Sequence, residues 1–150
     1  MAFVPANPNF ARDVERTVQS LPAARLLGFR FAHLGPGEAD LELPFCDELS
    51  AHCVFQGGII GALADFAGGS AAGTLLAPGS YSVTADYTIK LLAPALGEYL
   101  LAEGRVLHAG NAMTVARAEV YTLRAESRSL CATALVTMRN FSSSRLSETS

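Results

Sequence analysis

Apolar residues recur at helical spacing at Phe10, Val14, Val18 and Leu21. They predict a short helix with Asn7 as its cap and Pro8 in its first turn, ending before Pro22. Residues 27–34 read as a strand, and Gly35, Pro36 and Gly37 as a turn. Ala39, Leu41 and Leu43 then alternate with Asp40 and Glu42, the pattern of a half-buried strand. Residues 45–56 show no period and predict a loop. An almost unbroken apolar run from 57 to 76 predicts a buried helix, stopped by Ala77, Pro78 and Gly79. Four strands follow, at 80–92, 98–108, 112–124 and 128–140, parted at 94–97, at Gly110 and Asn111, and at 125–127. Connections this tight predict antiparallel neighbours. The expected domain is α+β, with one long helix on the concave face of one curved antiparallel sheet of about six strands. Residues 1–24 read as a leader and short helix, 25–141 as the domain, and 142–150 as a flexible Ser-rich tail.

Composition narrows the function classes. The chain has 150 residues, half of them hydrophobic and 17% charged, enough for one domain with a real core. A net charge of −3 with no basic run gives nucleic acid nothing to bind. Three cysteines without a C-x-x-C spacing indicate neither a disulfide framework nor a metal site. The N-terminus shows no export pattern, so a reducing cytoplasm is the expected setting. The 57–76 run approaches the length of a membrane span. A central Asp costs about 2.5–3.5 kcal/mol on insertion, however, and basic flanks are missing, so no membrane is expected.

That central residue, Asp65, is the main candidate for chemistry. A carboxylate in an apolar helix is costly unless something compensates it or uses it. Helical spacing puts Gly61, Ala62, Gly68, Gly69 and Ala72 on its face, leaving room for a ligand or another backbone, while Ile59, Ile60, Leu63 and Phe66 suit packing on a sheet. Each helical Gly is unfavourable by roughly 0.8–1 kcal/mol relative to Ala, so this many call for a reason. Tight packing alone is the competing explanation.

Phe55, Gln56, Gly57 and Gly58, followed by Asp65, resemble the H-G-G-x(6)-D signature of the PaaI-type acyl-CoA thioesterases. The stretch from Asp86 to Pro94, with Gly97 and Glu98, is similar to that family's third strand and the turn after it. The resemblance covers roughly residues 25–140. It implies a hot-dog fold, acyl-CoA as substrate and partner, coenzyme A present only as part of that substrate, no other cofactor or metal, and a homodimer or a dimer of dimers. Gln56 stands where many members carry His, and Ser50 where several carry a carbonyl-polarising Asn. Val83 stands where some hold a water-positioning Ser, with Ser82 and Thr84 flanking it. The resemblance also places coenzyme A along the end of the third strand, with Lys90, Leu92 and Pro94, and near His108, Gly110 and Asn111.

In this reading Asp65 is a general base or a nucleophile, both roles remaining open, and the Gly57 and Gly58 amides at the helix N-terminus are oxyanion donors. Gly57 and Asp65 lie eight residues apart, about 12 Å along a helix at 1.5 Å per residue. A tetrahedral intermediate needs both within about 3 Å. One helix cannot deliver both, so the site is expected to be shared between two chains. The alternative is a non-catalytic acyl-CoA-binding hot-dog module acting as a sensor. Retention of Asp65 argues against it, as does the lack of room in this chain for a DNA-binding helix-turn-helix. A third reading is a hot-dog enoyl-CoA hydratase, whose chemistry resembles a D-x(4)-H motif. His52 with Cys53 is a weak nucleophile–base candidate.

Overall fold

The computed structural model describes residues 2–142. In chain order the elements are α1 (Phe10–Ser20), α2 (Pro22–Leu27), β1 (Arg30–Gly35), β2 (Glu38–Pro44), a 3-10 turn (Asp47–Leu49), β3 (Ser50–Ala51), β4 (Val54–Phe55), α3 (Gly57–Gly73), β5 (Ser80–Leu91), β6 (Tyr99–Ala109), β7 (Met113–Arg124) and β8 (Ser127–Ser142). Six strands form one antiparallel sheet in the order β1-β2-β6-β7-β8-β5, and α3 packs across it. This is the expected α+β hot-dog architecture.

The N-terminal part departs from expectation. The first helix begins at Phe10, because Asn7 folds a turn ahead of it: Asn7 Oδ1 accepts from Asn9 N at 2.9 Å, and Asn7 Nδ2 donates to Asp13 Oδ2 at 2.9 Å. The expected strand start at 27 is instead the end of a second helix. Pro22 opens it, and Gly28, in the left-handed region at φ 89°, closes it by donating to Ala24 O. Ser142 ends β8, and the rest of the expected tail, residues 143–150, lies outside the described residues.

Alternation on β2 is as read: Ala39, Leu41 and Leu43 are buried. They join Leu63, Ala64 and Ala67 of α3, Leu100 and Ala102 of β6, and Val120 of β7 in the core. The helix ends three residues earlier than expected. Thr74, fully buried, donates through Oγ1 to Ala71 O and accepts from Gly37 N at 2.8 Å, tying the helix end to the β1–β2 turn. One feature sets how closely α3 approaches the sheet. A Cβ on Gly104 would overlap the Ala67 carbonyl and the Gly68 N, so β6 and the helix meet backbone to backbone there.

The connection after β5 also differs. β6, β7 and β8 are consecutive antiparallel neighbours, but β5 pairs with β8 and not with β6. Residues 92–98 therefore cross from one edge of the sheet toward its middle, a route that tightness alone does not reveal. This leaves β5 as a long edge strand without one buried residue.

Candidate active site

The start of α3 is shaped by Gln56. Its side-chain Oε1 accepts from Gly58 N at 2.6 Å and from Ile59 N at 3.2 Å, as an N-cap does. The expectation that Gly57 and Gly58 both offer free amides is corrected accordingly. Gly58 N–H is already engaged, whereas Gly57 N makes no hydrogen bond among the described residues. The Gly57 N–H remains open at the positive end of the helix. Leu91 lies over it: a Cβ on Gly57 would stand 2.9 Å from Leu91 Cδ1.

Two turns further on, Asp65 is half-buried and accepts a hydrogen bond from Thr84 Oγ1 at 2.8 Å. Burial raises its carboxyl pKa above the usual aspartate value of 3.8, and the Thr84 hydroxyl opposes that rise. No cation pairs with it among the described residues. Of Ser82, Val83 and Thr84, the structure brings Thr84 to the acid, and a bulge explains why. Leu91, Ile89 and Tyr87 alternate on the α3 side of β5, which would place Ala85 next. The register shifts between Thr84 and Asp86, so the parity flips and Thr84 faces the helix.

The glycines of α3 serve the protein's own sheet as well. A Cβ on Gly68 would stand 2.8 Å from Val136 Cβ, one on Gly61 3.3 Å from the Tyr87 hydroxyl, and one on Gly69 3.3 Å from Met138 Cε. The face expected to be bare is therefore largely covered by β5 and β8. Its accessible stripe narrows to Gly58, Ala62, Asp65 and Gly69. Ile59 and Phe66 are only partly buried, and Phe66 packs on Phe29 at 4.9 Å between ring centroids.

The remaining candidates separate into two groups. Leu92 and Pro94 share a cleft with Gly57, and Lys90 is exposed on the same end of β5, paired with Thr133. Gly110 and Asn111 line a different cavity of ≈560 Å³ with Ala72, Leu75 and Asn140, at the far end of α3, and His108 is exposed nearby on β6. Asn140 pairs with Ser82 on β5, eight positions before Lys90, which is about 26 Å of strand at roughly 3.3 Å per residue. One chain therefore does not gather Lys90, His108 and Asn111 around a single ligand end.

Ser50 donates to Asp47 O at 2.8 Å, closing the 3-10 turn. His52 and Cys53 occupy the two left-handed positions of the β3–β4 hairpin, at φ 52° and 66°, both exposed. The D-x(4)-H spacing, expected to be lacking from this chain, is in fact met by Asp47 and His52. Both are exposed, however, and no hydrogen bond or ion pair joins them, so they form no acid–base pair here. Sequence reasoning passed over Tyr87 and Leu91 as site residues. Their signal was their alternation on β5, legible only once β5 is known to lie along α3.

Residues 54–128, half of the chain, match the family model of the thioesterase superfamily. Among solved structures, a thioesterase family protein from Silicibacter pomeroyi superposes with a TM-score of 0.86 at 28% identity, over 88% of this chain and 98% of that one. The Escherichia coli PaaI protein of the phenylacetic acid degradation operon gives 0.79 at 20% identity, over 91% and 96%. A Haemophilus influenzae thioesterase gives 0.77 at 22%, over 87% and 91%. The last two likenesses establish the fold. No curated protein matches the chain.

Proposed function

Because the chain belongs to the thioesterase superfamily, we propose that it hydrolyses acyl-CoA thioesters to the free acid and coenzyme A. The observation that carries this reading is Asp65, a half-buried carboxylate with no cation partner among the described residues, held by Thr84 on an otherwise small-residue stripe. Ionised, it can take a proton from water or attack the thioester carbonyl itself. The Thr84 hydroxyl steadies the carboxylate, and its oxygen can accept a hydrogen bond from an attacking water. The open Gly57 N–H is the donor for the carbonyl oxygen as negative charge develops on it. A binding module needs none of this pairing, which favours hydrolysis over the sensor alternative.

The two halves of the chemistry are too far apart to act within one chain. α3 is continuous from Gly57 to Gly73, so the separation of about 12 Å between Gly57 and Asp65 stands. A second copy meets the need. β5 is an unpaired edge with Tyr81, Val83, Tyr87 and Leu91 exposed, the kind of edge that pairs with another chain. Two-fold antiparallel pairing centred near Tyr87 and Thr88 sets Leu91, and the Gly57 beneath it, beside Thr84 and Asp65 of the other copy. The same reversal brings Lys90 of one chain toward the Ser82 end of the other. We read the active unit as this dimer, with two shared sites.

Steady-state release of free thiol from short, long and aryl acyl-CoA thioesters tests the proposal. Turnover with at least one class supports it. Absence of turnover across the panel, with the protein folded and dimeric, overturns it.

A further inference from the structure

The first turn of α3 borders a cleft of ≈340 Å³ on the side where Leu91 crosses Gly57. Its floor is Phe55, Ile60 and Ala95, each at most 3% exposed. Leu91 and Leu92, both more than half exposed, form its rim with Pro94. Among the described residues, no charged or polar side chain lines it. Gly57, whose N–H is open, lines this cleft, so a carbonyl oxygen accepting from Gly57 has the cavity nearby.

A thioester carbonyl carries two substituents, sulfur and the acyl group. The sulfur leads to a long polar coenzyme that must reach solvent, which leaves the acyl group for the cleft. Leu92 and Pro94, given to coenzyme A by the family resemblance, therefore meet the acyl group instead. Apolar walls favour each buried methylene by about 0.8 kcal/mol, roughly fourfold in affinity. The same walls would strand a carboxylate without a partner. A cavity of about 150 Å³ holds benzene, so ≈340 Å³ accommodates an aryl group with a short linker or a chain of roughly six to eight carbons.

We infer that this cleft is the acyl pocket and that it selects uncharged acyl groups of intermediate size, aryl or medium-chain, over acetyl and dicarboxylic ones. The inference deepens the hydrolase reading and rests on it for the orientation of the thioester.

Non-hydrolysable thioethers separate the two ideas, since they report the pocket without turnover. Calorimetric affinities of the wild-type protein for S-methyl-, S-butyl-, S-hexyl- and S-(3-carboxypropyl)-coenzyme A are compared. S-hexyl should bind at least about thirtyfold more tightly than S-methyl, given several methylenes at roughly fourfold each. The carboxypropyl compound should bind at least about tenfold more weakly than S-butyl. Leu92→Trp, at an exposed rim position where folding is not at stake, should weaken S-hexyl about tenfold and leave S-methyl unchanged. Ile60→Ala should shift the optimum to longer groups. Equal affinity for methyl and hexyl, or a hexyl preference untouched by Leu92→Trp, overturns the pocket. The expected affinity pattern together with no hydrolysis of the matching thioesters supports the pocket and overturns the hydrolase reading alone.

Discussion

Thr84 donates its hydroxyl to Asp65 Oδ1 at 2.8 Å, across nineteen positions of sequence and from the free edge of the sheet. That bond favours the ionised carboxylate, while burial, the larger influence, disfavours it. Asp65 acts as base or nucleophile only when ionised. Activity should therefore fall as pH drops through a value above 3.8. Thr84→Val keeps the shape and removes the opposing bond, so the acid limb should move to higher pH. Profiles of kcat/KM for both proteins check this, and an unmoved limb would assign it to another group.

Asp65→Asn should lower kcat at least ~10²-fold, since Asn neither accepts a proton nor attacks. Its stability should change the other way. A carboxyl whose folded pKa is raised binds its proton more tightly folded than unfolded. Its contribution is therefore fully present below the unfolded pKa and lost as pH rises through the folded one. At pH 7 the variant should melt no lower than wild type, and any advantage should vanish in acid. Calorimetric scans at several pH values test both limbs.

Gln56→Ala should act mainly on the fold. Removing a cap that satisfies two amides costs about 0.5–2 kcal/mol, and a chain of this size loses roughly 2–4 °C of Tm per kcal/mol. A melting curve indistinguishable from wild type would overturn the capping role.

The strands were legible because alternation on β2 and β6 to β8 is strong and their turns are short. The place of β5 was not, since a seven-residue connection carries no mark of crossing the sheet. Asp65 stood out as one charge in an apolar helix, and Gly57 as a small residue at its start. The choice of Thr84 among its neighbours depended on a bulge, and a one-residue parity shift leaves no trace in composition. Gly61 and Gly68 read as a bare face because sequence cannot say that side chains of the same chain, Tyr87 and Val136, come to cover them.

Asp65→Asn and Gly57→Pro homodimers should each be inactive, and a mixture should regain activity. Pro is tolerated at the first helical position, and Gly57 N has no partner to lose among the described residues. In a two-fold dimer with shared sites, a hybrid holds one intact site. Complete exchange should therefore make about half of the dimers hybrid and return about a quarter of wild-type activity. Native mass spectrometry confirms exchange. Parental activity after full exchange would place both groups of a working site in one chain.

Gly104→Ala should be among the most damaging single-methyl additions. Its Cβ would meet the Ala67 carbonyl, which cannot rotate away, so a loss of about 3 kcal/mol or more is expected. Gly69→Ala makes a fair control, because its Cβ would meet only the flexible end of Met138 at 3.3 Å. Denaturant midpoints of the two variants should separate clearly.

The contact at Gly104 also divides labour within the molecule. With β6 and α3 touching main chain to main chain, the helix can neither sink nor slide without breaking the core. The spacing of amide and acid along it is thus a fixed gauge. Apart from side-chain changes on the cleft floor such as Ile60→Ala, adaptation to a new acyl group has to come from parts not clamped this way, the 91–95 stretch and the β3–β4 hairpin. A library that leaves the helix alone and varies those two segments would explore substrate range while the chemistry stays in register.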